Sequence, residues 1–374
     1  MDQNIAVIGA GITGLAAGLA TAEAGSPTRI FGISPNHIKG GVQLAPNAWL
    51  ALKTLGVDTD IMAQATRLND ITVRNLDSGA TLTRLPLDQT YASISRAALL
   101  SALQGAATLN PRISLVPNNV TAIHEDGEGV ALLFDKGRPF RANALIGADG
   151  HFGLARKYVL GRDPSFAMAK NQKIAMRLQL PFSDLPSSFH QPSSNLWLGN
   201  GVHVVHYPIQ DNVNIVVTLP SSRATNGWSE TLFSSHSALA PLAAASHSWS
   251  KQPLPHAETN SCWRRGNVVL AGDAAHIMPP HLAQGAGQSL QDAAMLFSQL
   301  KNSPLHRDGL SKYAQERASA VNRIALKAEI SGKVMGLSGP AARLRNIVLD
   351  LGGNSLMKGW LSEVWAGDPN LGKQ

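Results

Sequence analysis

The chain has 374 residues, of which 44% are hydrophobic and 15% charged, so it can bury a large core and lacks the composition of a disordered protein. Its formal charge of +7 is spread without a long run of like charges, which favours an anionic ligand over nucleic-acid binding. The single cysteine, Cys262, excludes an intramolecular disulfide and a multi-cysteine metal site. With no targeting segment and no 18-residue apolar run, we expect a cytoplasmic protein without a membrane span.

The first predicted element is a strand at residues 5–8, followed by Gly9, Gly11 and Gly14 at GxGxxG spacing and then by a helix rich in small residues. Gly9 permits a tight turn, Gly11 lets a pyrophosphate approach the backbone, and Gly14 lets the helix pack closely on the strand. The N-terminus of the helix supplies N–H groups and the positive end of a dipole for a phosphate. This context predicts a dinucleotide-binding unit.

The second strand, within TRIFGIS (28–34), departs from the dinucleotide pattern. An acidic residue usually ends this strand and binds the ribose hydroxyls. Here that position is Gly32, and no Asp or Glu lies between Glu23 and Asp58. The sequence therefore predicts a weakened affinity for the dinucleotide, with Ser34 or the backbone as a substitute, and tighter binding in a Gly32→Glu variant.

Two later strands are each predicted to end in an aspartate. RANALIGADG (141–150) leads to Asp149, and GNVVLAGD (266–273) leads to Asp273 before a loop rich in Pro and Gly and a further helix. Each strand would deliver a carboxylate to the carboxyl edge of a sheet, where doubly wound folds bind their ligands. Either residue alone could be a turn or helix-cap aspartate. Together with GxGxxG, in this order, they form a signature.

These motifs resemble those of the single-component FAD-dependent aromatic hydroxylases, the flavoprotein monooxygenases typified by para-hydroxybenzoate hydroxylase. Within that group the chain is most similar to the branch that contains salicylate, 3-hydroxybenzoate 6- and 6-hydroxynicotinate hydroxylases. The resemblance covers nearly the whole chain. It extends to four further segments, namely GGVQLAPNAWLALKTLGV (40–57), SISRAALLSAL (93–103), HVVHYPI (203–209) and WLSEVWAGD (360–368).

The resemblance implies an α/β fold in which a Rossmann-like FAD-binding domain is interleaved with a β-sheet substrate domain and followed by C-terminal helices. The FAD-binding domain is expected at 1–70, 95–165 and 263–300. The substrate-binding sheet is expected at 71–94 and 166–262, and the helical segment at 301–374.

The resemblance also implies which residues contact FAD. The pyrophosphate is expected at the glycine motif, the ribityl chain near Asp273, and the phosphate and ribose region at Arg96. The full set of expected FAD contacts is Gly9, Gly11, Gly14, Val42, Arg96, Val120, Asp149, Asp273, Pro280, Gln284, Gly285 and Ala286. Because the chain contains only one GxGxxG motif, no separate nicotinamide domain is predicted, and NADH or NADPH is expected as a transient co-substrate.

The implied reaction is hydroxylation of a small aromatic or N-heteroaromatic acid by O₂ through a C4a-hydroperoxyflavin. The protein would bind the ring, exclude water and remove a phenolic proton. In HVVHYP, strand alternation sends His206 and Tyr207 to opposite faces, so only one of them can face the ring. His206 suits a base near neutral pH and Tyr207 suits a hydrogen bond to a ring substituent, although either could be a satisfied residue of the sheet. Gln43, His281 and Pro280 are expected to line the substrate site.

Two alternative functions share these motifs. One is a ubiquinone-pathway ring hydroxylase with a lipidic substrate. The other is a flavin-binding relative with weak or no hydroxylase activity, which Gly32 favours. A flavin-dependent halogenase is disfavoured because the WxWxIP motif is absent. A monomer or homodimer is expected, and His276 is predicted to be structural.

Overall fold

The computed structural model describes residues 4–34, 39–163, 173–234, 238–245, 249–254, 262–303 and 306–367, so the last residue of the WLSEVWAGD segment lies outside the described residues. The strands are β1 (Ile5–Ile8), β2 (Thr28–Phe31), β3 (Gly41–Leu44), β4 (Thr66–Arg67), β5 (Asp70–Asn75), β6 (Thr81–Pro86), β7 (Ala92–Ser95), β8 (Ile113–Val116), β9 (Val120–Asp126), β10 (Gly129–Phe134), β11 (Phe140–Ala142), β12 (Ala144–Gly147), β13 (Lys173–Pro181), β14 (Ser193–Leu198), β15 (His203–Ile209), β16 (Asn212–Pro220), β17 (Ser250–Pro253), β18 (Arg264–Arg265) and β19 (Val268–Leu270).

The helices are α1 (Ile12–Glu23), α2 (Pro46–Thr54), α3 (Asp58–Met62), α4 (Arg96–Leu109), α5 (Leu154–Leu160), α6 (Trp228–Phe233), α7 (Gly285–Lys301), α8 (His306–Met335) and α9 (Gly339–Trp365). Short 3₁₀ helices cover Phe182–Asp184, Ser187–Phe189, Ser221–Arg223, Ala240–Ala245, Gly272–Ala274 and Pro280–Leu282. The predicted α/β class with sheets and C-terminal helices is therefore confirmed.

A six-stranded sheet in the order β18-β19-β12-β1-β2-β8 forms the first layer. All its pairings are parallel except that of β18 with β19. Because helices cover such a sheet, its central strands are apolar along their whole length, and every residue of β1 and β12 is buried. The register sets Ile8 beside both Phe31 and Gly147, and Gly147 beside Leu270. The carboxyl ends of β1, β2, β12 and β19 thus meet at one edge.

Helix α1 lies unusually close to this sheet because it carries glycines on the packed side. A Cβ at Gly14 would collide with the carbonyl oxygen of Gly9, and one at Gly18 would collide with the side chain of Ile30. The prediction that Gly14 permits close packing of helix and strand is confirmed.

A seven-stranded sheet in the order β17-β13-β16-β15-β14-β5-β6 forms the second large layer. Its pairings are antiparallel except for β14 with β5. Side chains alternate along β15, so His203, Val205 and Tyr207 lie on one side, called the inner face here, and Val204 and His206 lie on the other, called the outer face. The outer face packs into a second apolar core with Val217 and Trp197 among its members.

The long C-terminal helices pack against these layers. Helix α8 buries Tyr313 and Val321 in the main core, whereas Leu326 is 56% exposed. Helix α9 kinks at Gly352, where the backbone leaves the helical conformation. Among the described residues, no helix is both long enough and apolar enough to cross a membrane.

Candidate active site

One edge of the six-stranded sheet is called the cofactor edge here. It consists of the carboxyl ends of β1, β12 and β19 and of the residues Gly9, Asp149 and Asp273 that follow them. Gly9 has φ +106°, and a Cβ at this position would collide with the carbonyl of Ala148, so the turn requires glycine. At Gly11 a Cβ would meet nothing within 4 Å, and no side chain caps the first turn of α1. The N–H groups of that turn therefore face open space, which suits a phosphate.

The two aspartates of the cofactor edge have different surroundings. Asp149 accepts a hydrogen bond from the backbone N–H of Ala155 at 3.0 Å, so it also caps α5. Its Oδ1 is buried without a hydrogen-bond partner among the described residues, and burial raises the pKa of the Asp149 carboxyl. Asp273 is exposed in the short turn Gly272–Ala274. Both aspartates follow strands that are neighbours in the sheet, β12 and β19.

A buried ion cluster fixes the turn that carries Asp273. Asp292 accepts hydrogen bonds from Gly272 N–H at 2.8 Å, His276 Nε2 at 2.8 Å and Arg317 Nε at 2.7 Å. Burial acts to raise the pKa of Asp292, but His276, Arg317 and the Gly272 amide outweigh it and the pKa is lowered. Asp292 is thus ionised and paired, and His276 lies in a structural pair, in agreement with its predicted role.

The backbone conformation at Gly32 does not suit a residue with a side chain. Its φ is +139°, which L side chains rarely adopt, and a Cβ would lie 3.1 Å from the backbone nitrogen of Ala10. Ser34 donates its hydroxyl hydrogen to the carbonyl of Ala10 at 3.1 Å. A glutamate at position 32 would therefore strain the backbone beside the glycine motif, and the prediction of tighter binding in Gly32→Glu is not supported.

The N-terminus of α7 is a second uncapped helix start near the cofactor edge. Gln284 is buried and its Oε1 accepts hydrogen bonds from Asn47 Nδ2 and Gln288 Nε2, both at 2.8 Å. Gly285 and Ala286 then begin the helix, no side chain caps it, and a Cβ at Gly285 would meet nothing within 4 Å. The amide cluster fixes this helix start, whose N–H groups can bind an anionic or carbonyl oxygen.

The remaining predicted FAD contacts lie on several other elements, and their role stays a prediction. Val42 is half-buried on β3, and Arg96 is half-buried as the first residue of α4. Strand β8 ends at Val116, which pairs with the last residue of β2. Val120 begins β9 shortly after this point. Pro280 begins the short 3₁₀ helix before α7.

One end of the inner face carries two phenols and an amide. Tyr91 donates its hydroxyl hydrogen to Gln43 Oε1 at 2.9 Å, and the Tyr207 hydroxyl also bonds to Gln43. Burial raises the pKa of Tyr207 to about 12, against the opposing effect of Arg177 and Arg96. Tyr207 is therefore protonated near neutral pH and suits hydrogen bonding to a ring substituent, not proton abstraction.

The other end of the inner face carries a pair of histidines. The rings of His203 and His281 lie 5.3 Å apart in an edge-on arrangement, and both Nδ1 atoms are buried without a hydrogen-bond partner in the part of the chain that the structure describes. Burial lowers the pKa of His203 well below its usual value and that of His281 to about 4, with Lys173 contributing to both shifts. Both rings are neutral near pH 7. His203 and Tyr207 are four residues apart, about 13 Å along the strand.

The interpretation of His206 as a base requires correction. His206 lies on the outer face, where its ring centroid is 4.8 Å from that of Phe189 and 6.2 Å from that of Trp197. Burial lowers the pKa of its imidazole to about 3, and Arg74 adds to the shift. The structure thus separates His206 from Tyr207, Gln43 and His281. Strand alternation could have singled out His203, which shares the face of Tyr207.

Comparison with known proteins agrees with this geometry. Residues 2–328 match the model of the FAD binding domain family. The 3-hydroxybenzoate 6-hydroxylase of Polaromonas naphthalenivorans (strain CJ2) is 27% identical to the chain, with 92% of this chain and 91% of that protein covered. The 6-hydroxynicotinate 3-monooxygenase of Bordetella bronchiseptica is 28% identical, with 86% and 89% covered.

The chain belongs to the FAD-dependent aromatic hydroxylase family. Its fold also matches a solved structure of a variant of Klebsiella pneumoniae HpxO complexed with FAD. The TM-score is 0.83, the sequence identity is 22%, and the match covers 98% of this hydroxylase and 99% of that chain. The resemblance inferred from the sequence motifs is confirmed, and with it the assignment of the protein as an aromatic monooxygenase.

The cofactor edge of the hydroxylase fits FAD on its own geometry. The glycine turn and the open first turn of α1 match a pyrophosphate, and the unpartnered Oδ1 of Asp149 and the exposed Asp273 match neutral hydroxyl groups. The N–H groups at the uncapped start of α7 suit the polar edge of the flavin ring. Gly32 leaves the ribose hydroxyls without the usual carboxylate.

Proposed function

We propose that this hydroxylase uses NADH or NADPH and O₂ to hydroxylate a small aromatic or N-heteroaromatic acid bound between the Tyr207–Gln43 and His203–His281 ends of the inner face. The observation that carries the proposal is the pair of neutral, buried histidines whose Nδ1 atoms lack partners on the side of the strand that also presents Tyr207. Buried polar atoms are normally hydrogen-bonded. One unpartnered Nδ1 does not mark a ligand, since His206 has one too, but two of them meet here beside Lys173, and this cluster supports a polar ligand. The names of the relatives above refer to substrates of this class.

In the proposed mechanism His203 takes the phenolic proton of the substrate. An electrophilic oxygen transfer needs an electron-rich ring, and a phenolate is richer than a phenol. Burial lowers the pKa of His203, so the imidazole is neutral near pH 7, and an anionic substrate beside the ring would counter this shift and increase its proton affinity. The cation of Lys173 nearby favours the anionic form of the ring.

Tyr207 and Gln43 orient the ring. Gln43 is 7% exposed and is already bonded to Tyr91, so its amide is held in one position. The Tyr207 hydroxyl is held by the same amide and can bond a ring substituent. Val205, between Tyr207 and His203, offers an apolar side chain to the ring plane and helps to exclude water.

FAD bound at the cofactor edge would supply the redox chemistry, with NADH or NADPH as the reductant and O₂ as the source of the oxygen atom. The presence of one GxGxxG motif supports a nicotinamide that binds only transiently. A lipidic ring fits this site less well, because an apolar tail would leave the histidine Nδ1 atoms unpaired.

A substrate screen tests the proposal. The FAD-loaded enzyme is mixed with NADH or NADPH and with a panel of hydroxylated benzoates and nicotinates, and nucleotide oxidation, hydroxylated product and peroxide are measured together. At least one acid is expected to stimulate oxidation and to give product in excess of peroxide. If no member of the panel yields hydroxylated product, the proposed function is wrong.

A further inference from the structure

A half-buried ammonium group without a counter-charge lies beside the histidine pair. Lys173 is the first residue of β13, and its Nζ donates to the carbonyl of Gly332 at 3.2 Å. No carboxylate pairs with it among the described residues, although other lysines such as Lys157 and Lys327 have acidic partners. Burial lowers the pKa of Lys173, and no neighbouring acid opposes the shift. Such a cation is stabilised when an anion binds.

The strand register puts Lys173 on the inner face with His203. Ala175 and His203 both pair with Thr218 of β16, from opposite sides, so these three residues share one face. Lys173 precedes Ala175 by two residues and therefore points to the same side. Its charge acts on both His203 and His281, whose pKa values it helps to lower. The ammonium and the two rings form one cluster.

Two glycines close the far side of this cluster, Gly332 near the end of α8 and Gly336 directly after it. A Cβ at Gly332 would collide with the ring of His281, and a Cβ at Gly336 would collide with the Nζ of Lys173. The backbone at the end of α8 and just after it thus lies directly against both side chains. One of the three N–H bonds of the ammonium is used by Gly332, and the other two are available for a ligand.

We propose that Lys173 binds the carboxylate of the substrate and so makes the enzyme select aromatic acids over neutral phenols. This inference rests on the proposed function, since it assigns a partner for one substituent of the ring. The carboxylate forms a charge-assisted hydrogen bond to Nζ, while the neutral His203 and His281 bond the other polar groups of the ring. The charge of Lys173 is then compensated only when an acid is bound.

The test compares acids with their amides, which have the same shape without the charge. Affinities of 3-hydroxybenzoate and 3-hydroxybenzamide, and of 6-hydroxynicotinate and its amide, are measured from the change that each causes in the visible absorbance of the FAD-loaded enzyme. Lys173→Met is expected to weaken binding of the acids about tenfold to a hundredfold, the effect of one lost charge-assisted hydrogen bond, and to change the amides by less than about threefold. Lys173→Arg, which keeps the charge, is expected to retain most of the preference for acids.

Lys327→Met is the matched control. Lys327 also bonds a backbone carbonyl, that of Trp360, but pairs with Glu363, and its replacement should leave the acid-to-amide ratio unchanged. Thermal unfolding of each variant checks that it is folded. Equal losses for acids and amides in Lys173→Met, or no loss for the acids, would overturn the assignment. The substrate screen separates this outcome from failure of the proposed function, because wild-type turnover does not depend on which residue holds the carboxylate.

Discussion

The two faces of strand β15 each bury a histidine, and the two rings have different neighbours. His203 on the inner face meets another imidazole and an ammonium group. The Nδ1 of each ring is buried without a hydrogen-bond partner among the described residues, so this property does not distinguish them. His206 on the outer face packs between Phe189 and Trp197 in an apolar core. Burial lowers the pKa of both rings.

A depressed pKa and deep burial therefore do not by themselves mark a functional histidine. The neighbours of each ring distinguish the two histidines. His203 shares its face with Tyr207 and lies beside His281, whereas His206 is surrounded by aromatic side chains. His276 gives a third case, in which a buried imidazole is paired with a carboxylate and serves the fold. Substitutions at these sites are expected to have effects of different kinds.

His203→Asn should have the largest effect on catalysis. Removal of a general base slows the assisted step by a factor of about 100 to 10,000, while hydride transfer to the flavin need not slow equally. The variant is expected to keep part of its substrate-stimulated NAD(P)H oxidation and to divert electrons to hydrogen peroxide. Product and peroxide are measured in the same reaction. An unchanged ratio of product to peroxide would remove His203 from the mechanism.

Asp292→Asn should have the largest effect on stability. It leaves Arg317 and His276 without their buried carboxylate, and breaking such a pair costs about 3–5 kcal/mol. Because Asp292 also holds the Gly272 amide, FAD should dissociate faster from the variant. Urea denaturation and flavin fluorescence report the two effects. Equal stability with unchanged FAD retention would show that the cluster does not support the cofactor edge.

His206→Asn should reduce stability and leave coupling intact. Loss of ring contacts with Phe189 and Trp197 in a well-packed core is expected to cost about 1–3 kcal/mol. The ratio of product to peroxide should match that of the wild type. A variant that unfolds at the wild-type temperature but releases peroxide would reverse the roles assigned to the two faces.

The smallest predicted effect is a difference between the wild type and His206→Asn in how the free energy of unfolding changes with pH. The pKa of His206 is about 3 in the folded protein and about 6.5 when unfolded, so between these values the unfolded state binds the extra proton. Stability therefore falls as the pH falls from about 6.5 towards 3. One such group contributes at most about 1.4 kcal/mol per pH unit, and the variant should lose that contribution. Denaturation curves at pH 7, 6 and 5 measure it, and identical slopes would contradict the buried, neutral state of His206.

The sequence predicted the cofactor edge well because local rules govern it. Glycines at fixed spacing after a strand, and aspartates at the ends of two others, need only the parallel register of the sheet to meet, and the structure brings Gly9, Asp149 and Asp273 to one edge. The conformation of Gly32 was not predictable, because its positive φ depends on the approach of Ala10 from another strand end.

The substrate side was predicted less well because it depends on packing between distant segments. Alternation in HVVHYP showed that His206 and Tyr207 face opposite ways, but the pattern did not show which face is inward. Lys173 lies at the site because of its register on β13 and the close approach of Gly332 and Gly336, and no local sequence motif indicates either. Asp292 and Arg317 likewise meet across two helices.

The residues of the cofactor edge lie far apart in the sequence, which affects how the protein folds during synthesis. Gly9 leaves the ribosome early, whereas Asp273 follows only after the whole seven-stranded sheet has been synthesised. Contacts between such distant segments form late and slowly, and the uncovered edge of a parallel sheet is prone to mispairing in the interval. A flavin that binds only the completed edge adds to the stability of the finished fold by mass action, about 2.7 kcal/mol at a hundredfold excess over Kd. We therefore expect flavin supply during expression to increase the yield of native protein.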